Sequence, residues 1–424
     1  MTKKILLIIG ILAVIGIALF LVFGLKPQTE GESHIGFSIK NFWPFGNKTN
    51  SETSTTTTQE NNENPPANGT SNIGVNQPIP RLRKLSSESV AGAVIFDITA
   101  TKASTTSAVR FVEKGTGNVY EARSDSVKIE RLTNTTIPKI IRAFWLPDGS
   151  GFLAQTLSSE NEMVETSFVK LNKSKASTTV ESLTPFSTTI GKLPTDIKEI
   201  TIKPDGTKIF YYTISGSYSK WYVSNPDGTG ATLVASHPLT EWLPKWISGN
   251  TVIMQAKSSS EFNSFSYSFD VSSKTLKKLG TGGLGLSINP NLSGTLSLVS
   301  SGKTAPQLFI IDNKNITSKS LDTNTLAEKC VWLTKEKSPS AYCATPNEIP
   351  NGNYPDAWYK GLVSTEDYIT KIDTSNDILY NIASLYSMSN EKIDVVDMSL
   401  SPDETHLIFR NKIDGYLWML RIGE

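Results

Sequence analysis

Three aromatic rings and one carboxylate fall within six positions at Tyr354, Asp356, Trp358 and Tyr359. Such a set suits recognition rather than bond-making: the rings offer large, rigid contact area, and the acid adds a charged hydrogen-bond acceptor for a protein or glycan surface. They lie in NEIPNGNYPDAWYKGLVSTED (347–367), a stretch too long for a simple hairpin. The alternative is that the loop folds back, so that Trp358 covers the strands beneath it or plugs a channel.

The rest of the chain is poor in reactive groups. Two cysteines and three histidines, His34, His237 and His406, are too few and too scattered for a clustered zinc or haem site, so neither metal nor cofactor is expected. No G-x-S-x-G elbow accompanies His237 or His406, and no catalytic residue is assigned. His406, in THLIFR, reads as a packed or edge residue. GTGGLG (280–285) satisfies G-x-G-x-x-G, but LSINPNLSG follows it where a nucleotide site needs a helix; it reads as a flexible connection. DTSND (373–377) lacks the glycine and terminal Glu of a calcium loop and reads as a hairpin turn. With 41 basic and 40 acidic side chains, no global field draws the chain to nucleic acid.

Cys330 and Cys343 carry a sharper expectation. If CVWLT pairs with PSAYC so that Cys330 faces Cys343, then Thr334 faces Pro339 and KEKS (335–338) is left as the loop. Directly opposed strand residues lie about 4.5 to 5.5 Å apart, within disulfide reach. The competing reading is two small buried thiols.

The elements that must carry these residues begin with an apolar run. Residues 5–25, ILLIIGILAVIGIALFLVFGL, carry no charge, and a helix of that length spans the roughly 30 Å of bilayer hydrocarbon. Lys3 and Lys4 precede it, which places the N-terminus in the cytoplasm and the remainder outside, in the periplasm or at the cell surface. A cleaved signal peptide is the rival reading, but no A-x-A pattern ends the run. The expected organisation is a cytoplasmic tip and transmembrane helix over 1–26, then a juxtamembrane segment and disordered linker over 27–80. The juxtamembrane part contains FSIKNFWPFG (37–46), whose rings suit the headgroup layer. Residues 47–72 have almost nothing to bury, and as a coil the linker would span about 30 to 35 Å.

From residue 81 to 424 short β-type runs alternate with turn clusters, with no helical stripe. FWLPDGSGFLAQT (144–156) and ITIKPDGTKIFYYT (200–213) are both strand, Pro-Asp-Gly turn, strand. Proline presets φ for the turn, Asp bonds its own backbone, and Gly takes the positive φ that closes it. Third and fourth runs follow, most clearly in KWYVSNPDGTGATLVAS (220–236). Four short antiparallel strands per repeat make a propeller blade. Runs such as IFYYTI (209–214) are apolar on both sides, as blades stacked face to face require.

Starts near Val90, Ile140, Ile197, Glu241, Leu284, Ala327 and Ile393 predict an all-β fold with seven blades; six or eight are the alternatives. The last repeat has only three runs. RLRKLS (81–86) is expected to supply its missing outer strand and so cover its edge.

The PDG hairpins at 147–149 and 204–206, with KWYVSNPDGTGATLV, resemble the TolB-type propeller repeat, a relative of WD-type repeats. The resemblance extends over about 81–424 and is sharp in the second, third and seventh blades. It implies a propeller that binds proteins or peptides, and it carries over no activity. The expected function is a membrane-anchored extracytoplasmic scaffold with a protein partner. The alternatives are the propeller portion of a hydrolase or peptidase system, or a structural part of a surface or secretion assembly.

Overall fold

The computed structural model describes residues 78–423, apart from 102–103, 159–162 and 174–184. The expected transmembrane run 5–25, the aromatic segment 37–46 and the linker up to residue 77 lie outside the described residues. Among the described residues no helix is long and apolar enough to cross a membrane.

Seven four-stranded antiparallel sheets make up the domain. Their innermost strands are Val90–Thr101, Ile140–Trp145, Glu199–Ile202, Trp242–Ser248, Ser287–Pro290, Cys330–Trp332 and Val395–Leu400. In blades one to six the chain then runs outward strand by strand. Blade seven is completed from the other end of the domain: Leu82–Lys84 pairs with Leu417–Arg421, in register Leu82↔Leu420, Arg83↔Met419 and Lys84↔Trp418. The chain is therefore a seven-bladed β-propeller closed by its own leading strand.

The two-sided apolar runs fill the layers between blades. Val112, Val119 and Leu132 of blade one meet Phe152, Ala154 and Val169 of blade two. Phe210 and Trp221 of blade three meet Trp246, Val252 and Phe269 of blade four. Each of the valine, leucine and phenylalanine side chains among them contributes roughly 1.5–3 kcal/mol by leaving water. The thinnest layer lies between blades four and five, where Ile247, Ile253 and Leu279 pack with Ile288.

Pro-Asp-Gly joins first and second strands as its chemistry requires. Ser150 and Thr207 each donate a backbone N–H to the preceding Asp148 or Asp205 carboxylate at 3.0 Å. Gly149 has φ 67°, and a Cβ there would lie 2.5 Å from the Phe96 ring, so glycine is required twice over.

Two local readings need correction. GTGGLG is not a connection: Thr275–Leu284 is one outer strand of blade four, and its pairing shifts between Ser264↔Gly283 and Ser266↔Leu279. Gly282, at φ 83°, absorbs that irregularity, and blade five consequently begins at Ser287 rather than near Leu284. In blade six Cys330 stands opposite Cys343, with Cα atoms 4.0 Å apart and the sulfurs bonded at 2.07 Å. The ladder ends at Trp332↔Ala341, followed by one bond from Leu333 N–H to the Ser340 carbonyl. Thr334 does not face Pro339, because its N–H and hydroxyl turn instead to the Glu404 carboxylate of blade seven at 2.6 and 2.7 Å.

Candidate functional site

Innermost strands have a partner on one side only, so their side chains line an axial channel. A compartment of about 460 Å³ lies at the level of Lys245, Glu328, Trp358, Tyr359 and Lys412. A second, of about 660 Å³, is walled by Trp145, Trp246, Ile247, Pro290 and Trp332, with Pro147, Leu292 and Pro402 at the hairpin-turn end. The two share Lys245, Asn289, Cys330 and Met398 and so adjoin each other.

The long loop of blade six, between strands Ser340–Pro346 and Asp367–Asp373, caps the other end. Tyr354 N–H donates to the Lys303 carbonyl of blade five at 2.6 Å, and the Asp356 carboxylate accepts the backbone N–H of Ser260 in blade four. The short helix Asp356–Tyr359 turns Trp358 inward, where its indole donates to the Asp394 carboxylate of blade seven at 2.9 and 3.0 Å. Tyr354 and Trp358 are 2% and 4% exposed and pack with Leu326, while Asp356 and Tyr359 are half-buried. The structure brings all four candidate residues together, but as a cap bridging blades rather than as rings offered outward. A buried indole needs an acceptor, and Asp394, far away in sequence, supplies it.

Beneath the cap lies a buried ion cluster that sequence reasoning missed. The ammonium of Lys329 is 2.6 Å from Asp367, 2.9 Å from Asp394 and 2.8 Å from the Thr365 hydroxyl. Burial alone would lower the pKa of Lys329, but the two carboxylates outweigh it and push it up. Burial raises that of Asp367, with Lys329 opposing. Lys412 stands 5.0 Å from the Trp358 ring centre.

The 3-10 turn Ala327–Lys329 also delivers Glu328 to the channel. Glu328 is exposed to the channel, and partial desolvation by the surrounding walls pushes its pKa up to about 7. The neighbouring Tyr359 hydroxyl interacts with that carboxylate and partly opposes the shift. Lys245 is in the same situation with the opposite charge: confinement lowers its pKa to about 8, and it donates to the Asn289 side-chain oxygen at 2.5 Å. The signal that could have found both is a charge on or beside an innermost strand, where only the channel can receive it.

The remaining sequence candidates sit elsewhere. His237, at the end of the outer strand of blade three, packs against the rings of Trp221 in its own blade and Trp242 in blade four, and accepts the Leu239 N–H. His406 starts a strand of blade seven beside the Thr405 hydroxyl. Asp373 closes a hairpin by accepting the N–H groups of Ser375 and Asn376.

No family model and no curated protein matches the chain. Among solved structures, 740 chains match, a fold too widely shared to carry an activity. Oligogalacturonate lyase from Vibrio parahaemolyticus is 10% identical over 81% of this chain and 94% of its own, with a TM-score of 0.52. The propeller domain of the Trilobed protease from Pyrococcus furiosus is 10% identical over 79% and 98%, with a TM-score of 0.47. TolB from Acinetobacter baumannii is 10% identical over 68% and 78%, with a TM-score of 0.40. At such identities the likeness concerns the fold alone.

Proposed function

We propose that the chain is a binding scaffold tethered to a membrane and working outside the cytoplasm, with the capped face of its propeller as the contact surface. One observation carries this reading. Phe262 and Leu362, each 75% exposed, project from two loops of that face. The loops are tied together by the contact of Asp356 with Ser260, and Lys303, beside the cap, pairs with Glu261 at 2.9 Å. Large apolar side chains held outward on a braced surface are what a protein partner buries. The rings expected to do this, Tyr354 and Trp358, instead hold the surface in shape.

The apolar run 5–25 supplies the tether, and the Cys330–Cys343 bond supports an oxidising compartment, where such bonds persist. Both parts can be tested on the full-length chain in living cells. A photocrosslinking residue at position 262 or 362 should yield the same protein adduct from both sites, whereas none at either site, or unrelated adducts from the two, would overturn the contact surface. A membrane-impermeant maleimide should label Leu362→Cys in cells with the inner membrane intact. Labelling only after lysis would overturn the location.

A further inference from the structure

We propose that Lys245 anchors a site for a small organic carboxylate inside the axial channel, a binding function separate from partner contact at the capped face. Lys245 belongs to the innermost strand of blade four and borders both channel compartments. The other channel cations are already engaged. Arg142 pairs with Glu199 at 2.7 Å, Arg410 pairs with Asp397, and Lys329 is held by Asp367 and Asp394. Lys412 faces the Trp358 ring with Asp394 near it. Among the described residues no carboxylate pairs with Lys245, whose one polar contact is the Asn289 oxygen. Lys245 is exposed to the channel, so its unpaired ammonium is free to meet an anion that enters.

The walls specify the rest of the ligand. On the hairpin-turn side of Lys245 the walls are mostly apolar, with Trp145, Trp246, Ile247, Pro290, Leu292 and Trp332 beside Thr334, Ser399, Ser401 and a Glu404 carboxylate already engaged by the Thr334 and Lys335 N–H groups, and the volume suits a small molecule. One positive charge above a mostly apolar chamber fits one negative charge on an apolar body. A phosphate dianion would bring a second charge with no cation to meet it. The hairpin-turn end, where Leu292 is 52% exposed, is the ligand's way in to this chamber.

The pH dependence follows from the groups that face the channel: Lys245, Glu328, Lys329, Asp397, Arg410 and Lys412 in the upper part, Glu404 in the lower, and Arg142 with its partner Glu199 on the adjoining wall. Of these, Glu328 gains negative charge near pH 7 and Lys245 loses positive charge near pH 8. Each change opposes an anion, so affinity should fall steadily between pH 6 and about 9.

The test uses the full-length chain in non-ionic detergent, with cyclohexanecarboxylate as probe, read by quenching of the channel tryptophans and by calorimetry. Saturable binding is expected for the carboxylate, with the neutral cyclohexanecarboxamide at least about tenfold weaker. Lys245→Met should lose about tenfold or more, while Lys245→Arg should keep most of the affinity. Acetic anhydride labelling of the native chain, mapped by mass spectrometry, gives a readout independent of any variant: the probe should protect Lys245. Absence of saturable binding, equal binding of the carboxamide, tighter binding of inorganic phosphate, unchanged affinity in Lys245→Met, or no protection of Lys245 would each overturn the proposal. None of these outcomes bears on crosslinking at 262 or 362.

Discussion

A charge taken out of water must be matched, and Lys329 is matched twice. Removing the ammonium by Lys329→Met would leave Asp367 and Asp394 buried with no cation in contact, a change that costs about 3–5 kcal/mol. Trp358→Phe removes one donor from Asp394 and should cost about 1–3 kcal/mol. Urea unfolding of the two variants should therefore rank them in that order, and equal midpoints with the unaltered chain would show that the cluster does not brace the cap. Glu328 gives a separate signature. Its folded pKa, about 7, exceeds the ordinary value of 4.5, so the folded state holds the proton more tightly. The resulting stability is fully present below pH 4.5 and is lost as pH rises to 7. Glu328→Gln should flatten the melting temperature across that window, and an unchanged slope would remove Glu328 as its source. Neither group was legible as a site, since Lys329 and Asp394 stand 65 positions apart and no local spacing links them.

Turns were the most legible elements because their chemistry is local. An Asp that accepts the N–H two residues on can be recognised within five letters, and Asp148 and Asp205 do this where Pro-Asp-Gly was read. The same economy closes the outer hairpins of blades four, five and six, where Asp270, Asp312 and Asp373 end the third strand and each accepts the next turn's N–H groups. What stayed hidden depends on distant contacts. The bulge at Gly282 answers to Phe265 across the sheet, and the long hairpin of blade six opens because Glu404 draws Thr334 away. That hairpin is then held by the Cys330–Cys343 bond, across a sequence separation of 13. A cross-link closing a loop of this size contributes about 3 kcal/mol on the chain-entropy model. Cys330 also directly follows the turn that carries Glu328 and Lys329. Reduction should therefore lower the melting temperature and weaken protection of the Lys329 amide against hydrogen exchange. An unchanged midpoint in the double variant Cys330→Ser, Cys343→Ser would show that the ladder alone holds the hairpin.

At the scale of the whole molecule, stability comes from a closed succession of interblade layers, so the join matters as much as any layer. The joining strand places Leu82 and Leu85 at 8% and 1% exposure and adds bonds from Leu85 N–H to the Leu417 carbonyl and from Arg421 N–H to the Arg81 carbonyl. Arg83 reaches beyond the sheet to the Ser126 and Arg123 carbonyls of blade one, fastening the first blade to the last. Deleting residues 81–86 would expose the edge of Leu417–Arg421 and forfeit two buried leucines, roughly 3–6 kcal/mol before any hydrogen bond is counted. A melting temperature lower by about 10 °C is expected, with self-association through the freed edge visible by light scattering. A synthetic peptide of residues 78–88 should restore much of the loss, because the vacated edge retains the register Leu82↔Leu420 to Lys84↔Trp418. If the shortened chain melted at the same temperature and stayed monomeric, closure would be incidental, and the seven layers alone would have to account for the stability of the ring.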